Sequence, residues 1–554
     1  MQRLPKPVRP TLHANTLLLI VVAYTVVALN SRFWGIVFDS PGLGGLWGFG
    51  VIASIAAALF AISLLILLPL SLRWTFKPGL ALALILTAGA AYFISNYGAV
   101  IDRHALASVY ETDAREAGEW INLRMLLSIG ALGILPAALM CWVRVDWQGP
   151  VREVFSRLKL AVLAFVLLGI AALGFGKDIA SLLRNHMELR HIANPFALLA
   201  ANLSYIDHAR NDNRPLEKIG LDARRGAALR TGARPVVLVL AVGESARASS
   251  YSSNGYDRAT DPQMQALGAV NFGNVHSCGT NTATSLPCMF TDPGRRKYED
   301  GVAKYRANLL DVLTRGGYDA VWLDNNTGSK KLGKRIREVF LADTNDPAHC
   351  NVEGCFDEVL LTQLRKELAD VRRDTVFVIH LLGSHGPAYY ARYPKAFAKF
   401  QPECLTNELQ QCSDQQLRNT YDNTILYTDH ILASAAALLR DDARIDPALL
   451  YVSDHGESLG EHGLYLHGAP YAIAPEEQTH VPMQLWASDR FSARRGLDPQ
   501  CLRKRAGAPL SHDNFFHSVL GLADVATGVR KPTLDLFEAC AADGKPVAIT
   551  TLAR

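Results

Sequence analysis

Five short segments in the C-terminal half of the chain carry the residue types of a metal site with a hydroxyl nucleophile. They are Val242-Gly243-Glu244-Ser245, Cys278-Gly279-Thr280-Asn281-Thr282-Ala283, Gly383-Ser384-His385-Gly386-Pro387, Ser453-Asp454-His455-Gly456-Glu457, and His467. Carboxylate, imidazole and hydroxyl oxygen are the donors a catalytic zinc takes when one ligand is also the nucleophile, because the cation lowers the hydroxyl pKa. On that reading Glu244, Asp454 and His455 bind zinc and Thr282 attacks. Singly, each has a plainer use: an acid at a strand end caps a helix or pairs with a cation, and a threonine after a turn is a cap. Together they point to a group-transfer enzyme. His385 and His467 suit contact with phosphate oxygens or protonation of a departing alkoxide, and a second metal ion is the other use of such a pair.

These residues lie where strands are expected to end. Pro235–Val242, Ala320–Leu323, Thr375–Leu382 and Ala448–Ser453 read as strands, and Ala303–Leu313 and Asn419–Leu439 as helices. The alternation predicts an α/β sandwich around a largely parallel sheet. Glu244, His385, Asp454 and His455 follow such strands, and open α/β sheets bind ligands beyond the carboxyl ends of their strands. Thr282 follows Gly279 and leads into Ala283-Thr284-Ser285-Leu286, a helix start whose N–H groups and positive end would stabilise an alkoxide or a phosphate.

The 554 residues are 49% hydrophobic, high for a wholly soluble chain of this size. The excess lies before residue 177, in five nearly uncharged runs at about 16–34, 48–71, 79–97, 122–143 and 158–176. Each approaches the ~20 residues that cross a bilayer core. Lys and Arg collect on the cytoplasmic side. Arg3, Lys6 and Arg9 precede the first run, Arg73 and Lys77 separate the second and third, and Arg144, Arg152, Arg157 and Lys159 lie between the fourth and fifth. The loop 35–47 carries Asp39 alone, and 98–121 is acidic through Asp102, Glu111, Asp113, Glu116 and Glu119. The N-terminus is therefore expected inside and everything after 177 outside. Val27-Ala28-Leu29-Asn30 would make a poor cleavage site, so the first run reads as an anchor. Three parts result: a five-span domain over 1–177, a connector over 178–232, and an exported α/β domain over 233–554. In the connector Ile179, Leu182, Leu183, Met187, Leu189, Ile192 and Phe196 recur at helical spacing, as in a bridge lying on the membrane face or a solvated linker helix.

Of nine cysteines, Cys141 falls inside the fourth run and the other eight in the exported part, as an oxidising compartment requires. Local pairing is the economical expectation: Cys278 with Cys288, Cys350 with Cys355, Cys404 with Cys412, and Cys501 with Cys540 across the longest loop. No CxxC occurs to support a thiolate zinc site. The net charge of +4 gives no support to a nucleic-acid partner. The basic residues Arg295, Arg296, Lys297, Lys330, Lys331, Lys334, Arg335 and Arg337 form either a solvated face or a surface for a polyanion.

The stretch from Cys278 through Thr282 and Pro287 to Phe290, with Asp324-Asn325-Asn326-Thr327-Gly328-Ser329-Lys330, Gly383–Pro387 and Ser453–Glu457, resembles the phosphoethanolamine transferases of Gram-negative inner membranes. Within them it is most similar to the lipid A transferases, including the mobile colistin-resistance type, and the resemblance spans the whole chain. It implies a periplasmic catalytic domain of alkaline phosphatase and sulfatase-like architecture, with one tightly bound zinc on Glu244, Thr282, Asp454 and His455. His385 and His467 would then meet the phosphate. A headgroup site is implied at Thr112, Glu116, Thr327 and Lys330, with Ser108 standing where the family has Asn. The implied reaction moves phosphoethanolamine from phosphatidylethanolamine to a lipid A phosphate through phosphothreonine, by a monomeric enzyme in the bilayer. That transfer lowers surface negative charge and confers polymyxin resistance. A different acceptor (a core sugar or periplasmic glucan), a lipoteichoic-acid-type glycerol-phosphate transferase, and a silent membrane-anchored metal or lipid sensor are the alternatives. A sulfatase lacks support, because no Cys/Ser-x-Pro-x-Arg sequence is present.

Overall fold

Long apolar runs in hydrocarbon must satisfy their amides internally, which helices do. In the computed structural model of the chain, which describes residues 9–541 apart from 42, 112–113, 211–213, 231, 300, 343, 345 and 352–353, these runs form α1 (Ala14–Ala28), α2 (Ser31–Asp39), α3 (Gly45–Leu67), α4 (Phe76–Tyr97), α5 (Leu123–Trp142) and α6 (Pro150–Asn185). Among the described residues four helices are long and apolar enough to cross a membrane, and the bent pair α1 and α2 makes a fifth span if counted together. The 57° bend has a polar cause. Asn30 Nδ2 donates to the Thr25 and Asn194 carbonyls, at 2.9 and 3.0 Å, and its Oδ1 accepts the Asn194 N–H at 2.8 Å. The helix of the fifth run is longer than its apolar stretch and continues to Asn185, with one non-helical residue at Phe175 (φ −132°).

The chain divides into two units. One runs to Leu106 and resumes over Ile121–Tyr205; the other takes Ala107–Trp120 and the chain from Ile206 onward. In the helical unit Thr11–His13, Lys77 and Arg144–Asp146 meet at one end. Thr11–His13 pairs in parallel with Arg144–Asp146, and Lys77 Nζ donates to the Cys141 and Val143 carbonyls, at 2.8 and 2.7 Å, where a cation offsets the negative end of α5. Leu173, Leu46 and Trp74 are 92%, 90% and 88% exposed, as lipid-facing residues are.

The second unit is built on eight strands: β1 (Val236–Gly243), β2 (Val270–His276), β3 (Asp319–Asp324), β4 (Arg337–Phe340), β5 (Thr375–His380), β6 (Asp446–Ser453), β7 (His480–Ala487) and β8 (Leu510–Ser511). They lie in the order β8-β2-β7-β6-β1-β5-β3-β4, and only β7 is antiparallel to its neighbours. β1, β5 and β6 are buried throughout, as apolar central strands of a parallel sheet should be. Helices α7 (Thr282–Met289), α8 (Asp414–Asp441) and α9 (His512–Leu522) complete the parts that reach the site. The strands β2, β4, β7 and β8 are not visible in the sequence pattern. In β7 the reason is Pro482, which argues against an interior strand and is accommodated here by a shift of register between Val481 and Met483.

The helix expected over Ala303–Leu313 is instead two, Val302–Tyr305 and Leu309–Arg315. The break is a capping box. Buried Asn308 accepts the Leu310 N–H through Oδ1 at 2.9 Å, Asp311 returns a bond to the Asn308 N–H at 2.7 Å, and Asn308 Nδ2 reaches the Leu332 carbonyl at 2.9 Å. Replacing Asn308 by Ala should cost about 1–2 kcal/mol locally, read as a roughly tenfold loss of amide exchange protection confined to Leu309–Arg315.

Candidate metal and nucleophile site

The parallel strands and β2 all end on one edge of the sheet, so five independent loops open there. Glu244 follows β1, the loop from Ser277 to Asn281 follows β2, Asn326 and Thr327 follow β3, His385 follows β5, and Asp454 and His455 follow β6. Thr282 is the first residue of α7, capped by Asn281, whose Oδ1 accepts the Thr284 N–H at 2.9 Å. Its hydroxyl donates to Glu244 Oε2 at 2.9 Å and lies 3.3 Å from His455 Nε2. His455 Nε2 is 3.3 Å from Glu244 Oε1 and 3.5 Å from Asp454 Oδ2. Glu244, His455 and His467 can each offer one ligand atom with all three within 4.8 Å of one another. The His467 ring centroid is 4.2 Å from that of His455 and 6.1 Å from that of His385.

The electrostatics of this cluster ask for a cation. Burial would raise the Glu244 carboxyl, but the hydrogen bond and charge of His455, with the charges of His385 and His467, hold it well below the ordinary carboxylate range. Asp454, equally buried, is pushed up by burial and by the charge of Glu244. Burial opposes the His455 imidazolium, yet Asp454 and Glu244 push its pKa up to about 10. Among the described residues Asp454 Oδ2 has no hydrogen-bond partner although it is buried. Two carboxylates, an imidazole and a hydroxyl converging around one orphaned oxygen fit a divalent cation.

A shell of buried groups holds the donors. His467 Nδ1 donates to Glu457 Oε2 at 2.8 Å, and Tyr389 binds Glu457 Oε1, which fixes the orientation of the His467 ring. Asn326 Nδ2 donates to Glu244 Oε2 at 2.9 Å and lies 3.4 Å from His380, whose Nδ1 meets Asp324 at 2.8 Å. His512 ties the threonine loop to β6: its Nδ1 accepts the Cys278 N–H at 3.1 Å and its Nε2 donates to the Ser453 carbonyl at 3.0 Å. Burial pulls the His512 pKa down to about 3, which keeps the ring neutral and suited to both roles. Ser245 has φ +57° in the left-handed region and is held there by its bond to Glu244 Oε1 and by Tyr421 on its carbonyl.

Thr327 and Lys330 lie on the β3 loop, half-buried, with Thr327 donating its N–H to Asn326 Oδ1 at 2.8 Å. Ser108 is half-buried on the helix Arg103–Glu111, while Thr112 and the Glu116 side chain fall outside the described residues. Disulfides join Cys278–Cys288, Cys350–Cys355, Cys404–Cys412 and Cys501–Cys540, and Cys141 is free. Sequence reasoning assigned no role to Ser245, Asn326 and Glu457, although each lies in or beside a motif segment. His380 and His512 leave no signal, since a lone imidazole is far more often ordinary packing.

The strand order and the ligand-bearing strand ends define a sulfatase-type α/β enzyme domain, and residues 236–525 match the Sulfatase family. Residues 59–210 match the family Phosphoethanolamine transferase EptA/EptB. The chain is 38% identical over 535 residues to phosphoethanolamine transferase EptA of Escherichia coli K12, covering 96% of this chain and 98% of that protein. It is 38% identical over 490 residues to phosphatidylethanolamine transferase Mcr-1 of Escherichia coli, covering 86% and 89%. The solved integral membrane protein lipooligosaccharide phosphoethanolamine transferase A of Neisseria meningitidis superposes with a TM-score of 0.92 at 35% identity, covering 96% of this chain and all of that one. The chain therefore belongs to the EptA/EptB family of phosphoethanolamine transferases. It is a Gram-negative inner-membrane enzyme with its catalytic domain in the periplasm.

Gly383 is the backbone position on which Glu244 leans. Its φ is +53°, and a Cβ there would lie 3.0 Å from the Glu244 carbonyl oxygen, 3.1 Å from its nitrogen and 3.3 Å from its Cβ. Gly383→Ala adds about 1–2 kcal/mol of left-handed strain and should displace Glu244. Headgroup transfer is expected to fall by about 10–100-fold with a loss of bound metal, checked by a labelled-lipid assay and metal analysis.

Proposed function

We propose that this enzyme transfers phosphoethanolamine from phosphatidylethanolamine to a phosphate of lipid A through a covalent adduct on Thr282. The observation that carries this reading is the Thr282 hydroxyl, 2.9 Å from a buried carboxylate and 3.3 Å from an imidazole, at the positive end of α7. Zinc held by Glu244, Thr282, Asp454 and His455 would lower the hydroxyl pKa and polarise the phosphoryl group. Thr282 Oγ1 passes its proton to Glu244 Oε2, to which it is hydrogen-bonded, and bonds to phosphorus as the phosphorus–oxygen bond to diacylglycerol breaks; the proton returns to Oγ1 when the adduct is resolved. His467, oriented by Glu457, protonates the departing alkoxide. His385 faces the phosphoryl oxygens, whose charge grows as the bond forms. In the second step an oxygen of the lipid A phosphate attacks phosphorus, the bond to Oγ1 breaks, and Thr282 is regenerated.

Glu116 suits the ammonium of the headgroup and Lys330 its phosphate, with Ser108, Thr112 and Thr327 completing the contacts. Both substrates are amphiphiles, so the spans hold the site within reach of their headgroups and raise the effective concentration of each. The lipid A assignment is supported by the lipooligosaccharide named for the meningococcal relative and by the run Arg295-Arg296-Lys297, which suits a polyanion. Adding an ammonium to lipid A lowers the negative surface charge that cationic peptides such as polymyxin recognise.

Thr282→Ala should preserve the fold and all four disulfides, abolish the phosphoethanolamine adduct seen by intact-protein mass spectrometry, and lower turnover by about 10³-fold or more. Normal turnover by this variant would refute the assignment. Mass spectrometry of lipid A from cells with and without the enzyme tests the acceptor: an added phosphoethanolamine on a lipid A phosphate is expected, and its appearance only on core sugar or glucan would replace that acceptor.

A further inference from the structure

The segment Ala107–Trp120 is joined at both ends to spans yet belongs to the catalytic unit. A buried ion pair holds it there: Arg392 Nη2 meets Glu119 Oε2, with the two side chains 3% and 16% exposed. Asn407 Nδ2 donates to the Glu119 carbonyl from within the loop closed by Cys404 and Cys412. Nε of the same guanidinium gives a 2.6 Å hydrogen bond to the main-chain carbonyl of His385. A guanidinium is planar and rigid, so its Nε and Nη2 cannot be aimed independently. A shift at Glu119 therefore moves the donor that seats His385. The turn carrying His385 is also held by its neighbours. Asp357 accepts the Leu382 and Gly383 N–H groups at 2.9 and 3.0 Å, and the Glu244 carbonyl accepts the Ser384 N–H at 3.0 Å. Arg392 adds an anchor on the carbonyl of the histidine itself.

We propose that Glu119 and Arg392 are positioning residues for phosphoryl transfer, which make the placement of His385 conditional on the seating of the 107–120 segment. The inference rests on the reading of His385 as a phosphoryl contact given above.

The test uses the full-length enzyme in phosphatidylethanolamine-containing micelles, following single-turnover formation of the Thr282 adduct. Glu119→Gln and Arg392→Gln should each slow adduct formation about tenfold, with metal content and disulfides unchanged. Arg392→Lys, which keeps the charge but not the fork, should not restore the rate. His385→Ala should be slow by itself, and adding Arg392→Gln to it should cost less than about twofold more, because both act through one group. Multiplying losses in that double variant, or a full rate in both single variants, would overturn the inference while leaving the reading of His385 intact. A full rate in His385→Ala would overturn the reading of His385 and the inference with it. If Arg392→Gln does not fold, Glu119→Gln, which lies outside the sheet, decides the matter through its own double variant with His385→Ala.

Discussion

Glu244 and Asp454 are two carboxylates buried beside one another and one imidazole, and such a grouping is costly unless something positive is shared between them. The opposite pulls on their pKa values express this conflict: one is held ionised by the surrounding histidines while the other is pushed toward its neutral form. Most of the remaining site can be understood as what is needed to keep that arrangement from relaxing. Asn326, Ser245 and Thr282 all donate to Glu244, and Ser245 accepts a left-handed backbone to do so. A hydroxyl held against this anionic cluster is also where a divalent cation would activate it most, which is the basis of the mechanism proposed for Thr282.

The sheet solves the positioning problem by geometry. Parallel strands present their carboxyl ends on one edge, so residues separated by more than two hundred positions in the chain reach the same few ångströms. The loops are then fastened to each other more than to their own strands. His512 links the threonine loop to β6, Asp357 links the β5 turn to its neighbours, and Glu457 fixes the ring of His467. A site built this way is held by contacts between its loops, while the apolar helices answer a different demand, an apolar surface for hydrocarbon.

Much of this was legible beforehand for identifiable reasons. Apolar runs of span length mark membrane helices by composition alone. β1, β5 and β6 are continuous apolar runs and could be located within a few residues. β2 could not, because Asn271, Gly273 and Asn274 interrupt its apolar pattern, and β7 could not, because it contains Pro482. The first span also departs from a straight helix, since the cost of the bend is met by Asn194, a partner 164 residues away.

The sequence by itself determined which chemistry is possible, since residue type fixes which atoms can ligate, attack or carry charge, and it determined the membrane spans, since hydrocarbon selects on composition. Only the tertiary structure decided which acid and which histidine meet. Glu457 binding His467, Asn326 binding Glu244 and Arg392 joining Glu119 to His385 are all contacts between segments whose separation in the chain carries no information about distance. Hydrogen bonds and ion pairs act over a few ångströms, and packing of the whole sheet, not any local pattern, sets which groups come that close.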